Sequence, residues 1–166
     1  MYQYTLDTAF DISSKNAGSE EKLALNPAGD PISNQTDDIT FNNDGTKLFA
    51  ISDNGAMNIH ILSTPYDISD ATLVADDGIN WRTYKEPWGS SNTTMLPQTI
   101  RFNNDGTKMY LTEAVINTTD PQESVGVVQY NLATPFVPSS TTTVQVLNLR
   151  AQFPKTNIAI HAMNFD

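Results

Sequence analysis

The 166-residue chain contains no cysteine, which excludes a disulfide framework and thiolate metal sites. Cations are scarce as well: 9 Lys and Arg stand against 19 Asp and Glu, a formal net charge of −10. Sequence-independent nucleic-acid binding needs clustered cations to displace counterions, and docking on anionic membranes needs the same, so neither partner is expected. The acidity favours solubility and suits a salty surrounding, where repulsion is screened. No apolar run approaches the roughly 20 residues of a membrane span, so membrane insertion is not expected. Long Ala/Leu/Glu/Lys stretches are also missing, and only 17% of residues are charged. Ser, Thr, Asn and Asp fill their place, the composition of short strands joined by polar turns.

What is present is repetition, and fixed self-similarity decides the reading of such a chain. FNNDGTK occurs at Phe41–Lys47 and again at Phe102–Lys108. A second motif reads LDTAFDIS at Leu6–Ser13, LSTPYDIS at Leu62–Ser69 and LATPFVPS at Leu132–Ser139. A partial third head, MNFD, ends the chain at Asp166. The order is tail, head–tail, head–tail, broken head.

Each head reads as a hairpin. Ile100 and Phe102 alternate with polar residues, the period-2 pattern of a strand. Asn-Asp-Gly-Thr then supplies the turn at Asp44-Gly45 and Asp105-Gly106, because Asp-Gly tolerates positive φ. Lys108–Thr112 returns as a second strand. MYQYTL, MNIHIL and VGVVQYNL precede the tails as third strands, and Thr141–Leu149 is the clearest fourth. In the tails, Pro65 and Pro135 fix φ, while Asp11 and Asp67 are placed to close Asx-turns. Three to four short strands per repeat, without helical periodicity, describe a β-propeller blade.

These units resemble the propeller repeats of the form I-x-F-N-x-D-G-T-K-M-[YF]-V followed by V-Y-Q-Y-T-L-S-T-[AP]-[FW]-D-[IV]-S. Such repeats are widespread in surface and virion-associated proteins of marine bacteria and their phages, and are distantly similar to YVTN-type propellers. The resemblance covers most of the chain. It departs at Val137-Pro138, which replaces Asp-Ile, and at the last head, which stops before its Gly. It implies a propeller fold and a surface or structural role, and it implies no activity.

The expected architecture is therefore all-β: antiparallel three- to four-stranded blades, about two complete and two partial. Residues 1–36 form a partial blade, 37–97 and 98–156 two blades, and 157–166 the start of the next. A propeller has about four to eight blades, so the chain reads as a fragment of a longer one. The alternatives are a protomer that completes a ring with copies of itself, or a subunit that exchanges terminal strands with its neighbours. If the chain is an excerpt, the absence of a signal peptide from MYQYTLDTAF says nothing about secretion.

Function in repeat scaffolds concentrates where the repeat is broken. The interval from Leu62 to Phe102 exceeds that from Leu6 to Phe41, and the excess, Asn80 to Gln98, holds both tryptophans. Trp81, Arg82, Tyr84 and Trp88 are the ligand-binding candidates, since aromatic rings with polar neighbours suit sugar faces or a partner's hot spot. The plainer reading is that the rings cap the propeller edge or fill gaps between blades. The second excess, Glu113 to Val125, places Glu113, Asp120 and Glu123 as metal candidates against a plainer role as polar turn decoration. Ca2+ at Asp44 or Asp105 is the lesser reading, because the other oxygen ligands of a calcium loop are missing. Asn34, Asn92 and Asn117 match the glycosylation triplet, which loops of this composition also produce by chance.

His60 and His161 are the only histidines, and neither has a Ser, Cys or second His at a readable spacing. Asp37-Asp38 and Asp76-Asp77 read as solvated loop charge, and Asp53 as an axial carboxylate candidate. The expected role is non-enzymatic: a structural or adhesive component of a virion or cell surface, outside the cell. Its blades pack through residues such as Ile100, Phe102, Met109, Leu111, Val127 and Leu132, and its loops meet a glycan or another structural subunit, with homo-oligomers a further possibility. The competing classes are a lactonase-like hydrolase with a central divalent ion and a self-assembling subunit.

Overall fold

FNNDGTK folds the same way twice. The Asn42 amide donates to the Lys47 carbonyl at 3.1 Å, and the Lys47 amide donates back to the Asn42 side-chain oxygen at 2.8 Å. The Asn103–Lys108 pair repeats this at 3.1 and 2.9 Å. Only the glycines carry positive φ, +72° at Gly45 and +70° at Gly106. A type I′ hairpin needs two such residues. This is instead a longer loop, whose missing ladder rung is supplied by an asparagine side chain.

The computed structural model describes residues 1–25, 36–52, 55–76, 81, 93–117, 124–149 and 163–164. It is all-β, with three short 3-10 turns and no α-helix among the described residues. Strands β1 (Tyr2–Gln3) and β2 (Glu21–Lys22) form a two-stranded sheet. Strands β3 (Asp38–Phe41), β4 (Lys47–Ile51), β5 (Met57–Ile61) and β6 (Thr72–Asp76) form a four-stranded antiparallel sheet in chain order. Strands β7 (Thr93–Phe102), β8 (Lys108–Asn117), β9 (Ser124–Leu132) and β10 (Thr141–Asn148) form another. Their registers match: Phe41 faces Leu48 in the first, and Phe102 faces Met109 in the second. The β1–β2 sheet corresponds to the last two strands of such a unit. The described residues form no closed ring of sheets.

The four apolar residues Leu48, Phe49, Ala50 and Ile51 are all fully buried, because both faces of β4 are covered. Leu48 and Ala50 join Leu25, Leu62 and Ile68 in one core layer. Phe49 and Ile51 join Met57, Ile100, Met109, Leu111 and Val128 in a second layer, shared between the two four-stranded sheets. Ile100, Met109, Leu111 and Leu132 occupy this core as expected, with Phe102 packed against it. Val127 does not; Val128 takes the place instead. Strand alternation explains the difference, since Val127 and Leu132 lie an odd number of positions apart and cannot share a face.

Asp38 corrects the reading of the Asp37-Asp38 pair as solvated charge. Its carboxylate accepts from the Ile100 amide at 2.9 Å and pairs with Arg101, so it joins β3 to β7. The carboxylate is only 17% exposed, and donors left without their shielded charged acceptor are costly. Asp38→Ala is expected to lower the unfolding free energy by about 2 kcal/mol, measured by urea denaturation. An unchanged midpoint would remove Asp38 as a link between the sheets.

Candidate functional site

The tail motif turns the chain between the third and fourth strands. In Thr64-Pro65-Tyr66-Asp67 the Asp67 amide donates to the Thr64 carbonyl at 3.1 Å. Proline second and positive φ third are the type II pattern, whose third position favours glycine. This chain puts an aromatic there in every copy: Phe10 at +64°, Tyr66 at +62° and Phe136 at +55°. Bulky residues at such φ are strained, by about 1–3 kcal/mol.

The contacts of the ring give the reason for an aromatic. The Tyr66 amide donates to the Gly45 carbonyl, and the Phe136 amide to that of Gly106, each at 2.9 Å. A Cβ on Gly45 would lie 2.4 Å from the Tyr66 ring, and one on Gly106 2.3 Å from the Phe136 ring. Tyr66 also meets Phe41, and Phe136 meets Phe102, both with ring centroids 5.3 Å apart. The head and tail motifs are therefore the two halves of one contact. Sequence reasoning missed this joint. The signal that marks it is that each complete head is followed by a tail, so that the head's Phe and Gly and the tail's aromatic recur together.

Asx bonds trim both halves. Asp44 and Asp105 accept from the hydroxyls and amides of Thr46 and Thr107, and these bonds hold both carboxyls below the usual carboxylate range. Asp11 and Asp67 accept likewise from Ser13 and Ser69 and are lowered too. In the third tail Val137 makes no such cap, and Pro138 pre-sets the first turn instead. A carboxyl whose pKa is depressed in the folded state contributes stability above its unfolded pKa and loses it as pH falls through the folded one. The urea midpoint should therefore drop as pH falls below about 4, and Asp44→Asn with Asp105→Asn should flatten that acid limb. A wild-type slope retained in the double variant would show that these bonds do not carry it.

The two interruptions of the repeat meet in one element. β7 and β8 have 10 residues each and β9 has 9, against 4, 5 and 5 in β3, β4 and β5. The surplus pairs as strand: Thr93 faces Asn117, Pro97 faces Glu113, and Glu113 faces Gly126 on its other side. The result is a three-stranded ribbon continuing the second sheet. A bulge between Pro97 and Thr99 marks its base. Pro97 is tolerated because β7 is the edge strand.

Among the aromatic candidates, Trp81 is fully buried. Its amide donates to the Gly55 carbonyl at 2.8 Å, and its ring meets Tyr130 edge-on with centroids 5.2 Å apart. An indole without exposed surface offers no face to a sugar; this ring fills the layer between sheets. Arg82, Tyr84 and Trp88 lie outside the described residues, as do Asp120, Glu123, Asp53 and His161. Glu113 is placed by its backbone in β8. Among the described residues no three His, Asp or Glu side chains gather as a metal site. His60 is buried, facing Leu48 and Leu73 across β5.

The outer face of the second sheet carries a groove of about 370 Å³ lined by Tyr110, Val127, Gln129, Leu147 and Met163, among others. Tyr110, Val127 and Gln129 are the repeat counterparts of Phe49, Met57 and Ile59, which in the first unit pack toward the second. Met163 is the counterpart of Ile100. Comparisons with protein-family models, with curated proteins and with solved structures found no match to this chain.

Proposed function

We propose that this chain is a non-enzymatic structural or adhesive component of a cell surface or virion, a run of propeller blades that holds a projecting ribbon toward a glycan or a neighbouring subunit. The observation that carries this reading is the ribbon. The two insertions, on either side of the Phe102–Lys108 head, pair with each other as one extension of β7, β8 and β9. Beneath it, Asp38 and the core layer common to both sheets tie the units together. The blade reading is supported by the chain-order sheets, their matching registers, and β3 lying against β7, as the innermost strands of adjacent blades do. A rigid base lets a ribbon bind without the cost of ordering it first.

The groove favours continued stacking of blades as the route to assembly, since it lies where the first unit receives the second. The display role is tested by replacing residues 113–126 with the shorter connection 52–56 of the first unit. Wild type and variant are then applied to a glycan array and to cross-linking on intact cells or particles. The variant should fold and lose the contacts of the wild type. Equal binding by both, or none by either, would sink the reading.

A further inference from the structure

We infer that the turn at residues 6–14 is a docking site for a β-hairpin, from outside residues 1–149, whose turn reads Asn-x-Asp-Gly-Thr. The turn is built like its two relatives. Asp11 N–H donates to Thr8 O at 3.1 Å, Asp7 N–H to Ser14 O at 3.0 Å and Ser14 N–H to Asp11 O at 3.0 Å. The third tail repeats these bonds from Val137 to Thr134, Ala133 to Ser140 and Ser140 to Val137. Phe10 holds the strained φ of +64°, yet its side chain is 100% exposed and that of Ile12 86%. In both other copies the strained aromatic covers a hairpin glycine. Here it covers nothing among the described residues.

Two backbone donors complete the site. Leu62 and Leu132 donate to Thr46 and Thr107 carbonyls at 2.8 Å, and Tyr66 and Phe136 donate to the glycine carbonyls at 2.9 Å. The matching donors, Leu6 N–H and Phe10 N–H, have no protein acceptor among the described residues. Among the described residues β1 pairs with β2 alone, whereas β5 and β9 are flanked on both sides. The free edge of β1 is thus where the second strand of the docked hairpin adds, a mode in which backbone bonds give affinity and pockets give specificity.

The occupant follows from the two filled copies. It needs a glycine, because a Cβ would strike the ring, and a Thr carbonyl just after it. A second copy of residues 36–149 has no such hairpin to spare, since Gly45 already lies under Tyr66 and Gly106 under Phe136. The occupant is therefore a hairpin of this repeat type from outside residues 1–149.

The test titrates the isotope-labelled full chain with a backbone-cyclised peptide of sequence DITFNNDGTKLFAI, its hairpin fold checked beforehand by NMR. The expected result is movement and slowed exchange of the Leu6 and Phe10 amides. Affinity should fall about tenfold or more when the peptide carries Ala for Gly, and again with Phe10→Ala in the chain. No movement up to about 1 mM, equal binding by the alanine peptide, or movement confined to the Tyr110–Gln129 groove would overturn the assignment. So would concentration-dependent association of the chain alone through the same two amides, which would make a second copy the occupant.

Discussion

Gly106→Ala should destabilise the protein by about 3 kcal/mol, far more than the same change at Gly18. Both glycines have positive φ, +70° and +87°, so both substitutions strain the backbone, at about 1–2 kcal/mol. Only one meets an obstacle. Around Gly18 nothing lies within 4 Å of the new Cβ, whereas at Gly106 it would sit 2.3 Å from the Phe136 ring. That ring cannot simply swing away, because its own amide is bonded to Gly106 and it packs on Phe102. Overpacking of this kind adds about 1–3 kcal/mol. The comparison is read from urea unfolding of the two single variants and of Gly106→Ala with Phe136→Ala. The pair should be less destabilised than the sum of its parts, since the overlap is gone once the ring is gone. Equal losses at Gly18 and Gly106 would mean that backbone conformation alone explains the glycine, and that the head–tail joint is incidental.

The strands and turns were legible in the sequence because their causes are local. Alternation in Gln98–Phe102 and the Asp-Gly pairs each act within a few residues, and the observed strands begin and end close to those marks. What escaped depends on partners distant in the chain. An aromatic at the third position of a type II turn contradicts local preference, and becomes reasonable only with Gly45 or Gly106 beneath it. Asp38 sits beside Asp37, where charge reads as solvated, yet its donors come from β7. Counting residues between motifs located both insertions, but length carries no information on pairing, so one ribbon read as two loops. Of the candidate binding residues, Trp81 illustrates the limit most plainly: amphipathic aromatics serve a surface and a core equally well, and the choice is made by whatever packs around them.

Trp81→Ala should therefore act on stability, with a loss of about 3–5 kcal/mol. The indole is the largest of the fully buried side chains among the described residues and shares a layer with Phe49, Ile100, Met109 and Tyr130. Its removal empties space walled by two different sheets, each held by its own ladder, so the walls cannot close fully. Trp81→Phe keeps most of the volume and the edge-on contact with Tyr130, and should lose clearly less. A spectroscopic check is independent of folding energetics. The chain has 2 tryptophans, so a Trp88→Phe background leaves Trp81 as the sole emitter. Its fluorescence should lie at short wavelength and resist acrylamide, as a dry indole does. If Trp81→Ala instead leaves the urea midpoint in place and abolishes binding on the glycan array, the ring belongs to a surface, and the layer between the sheets is held by its aliphatic members alone.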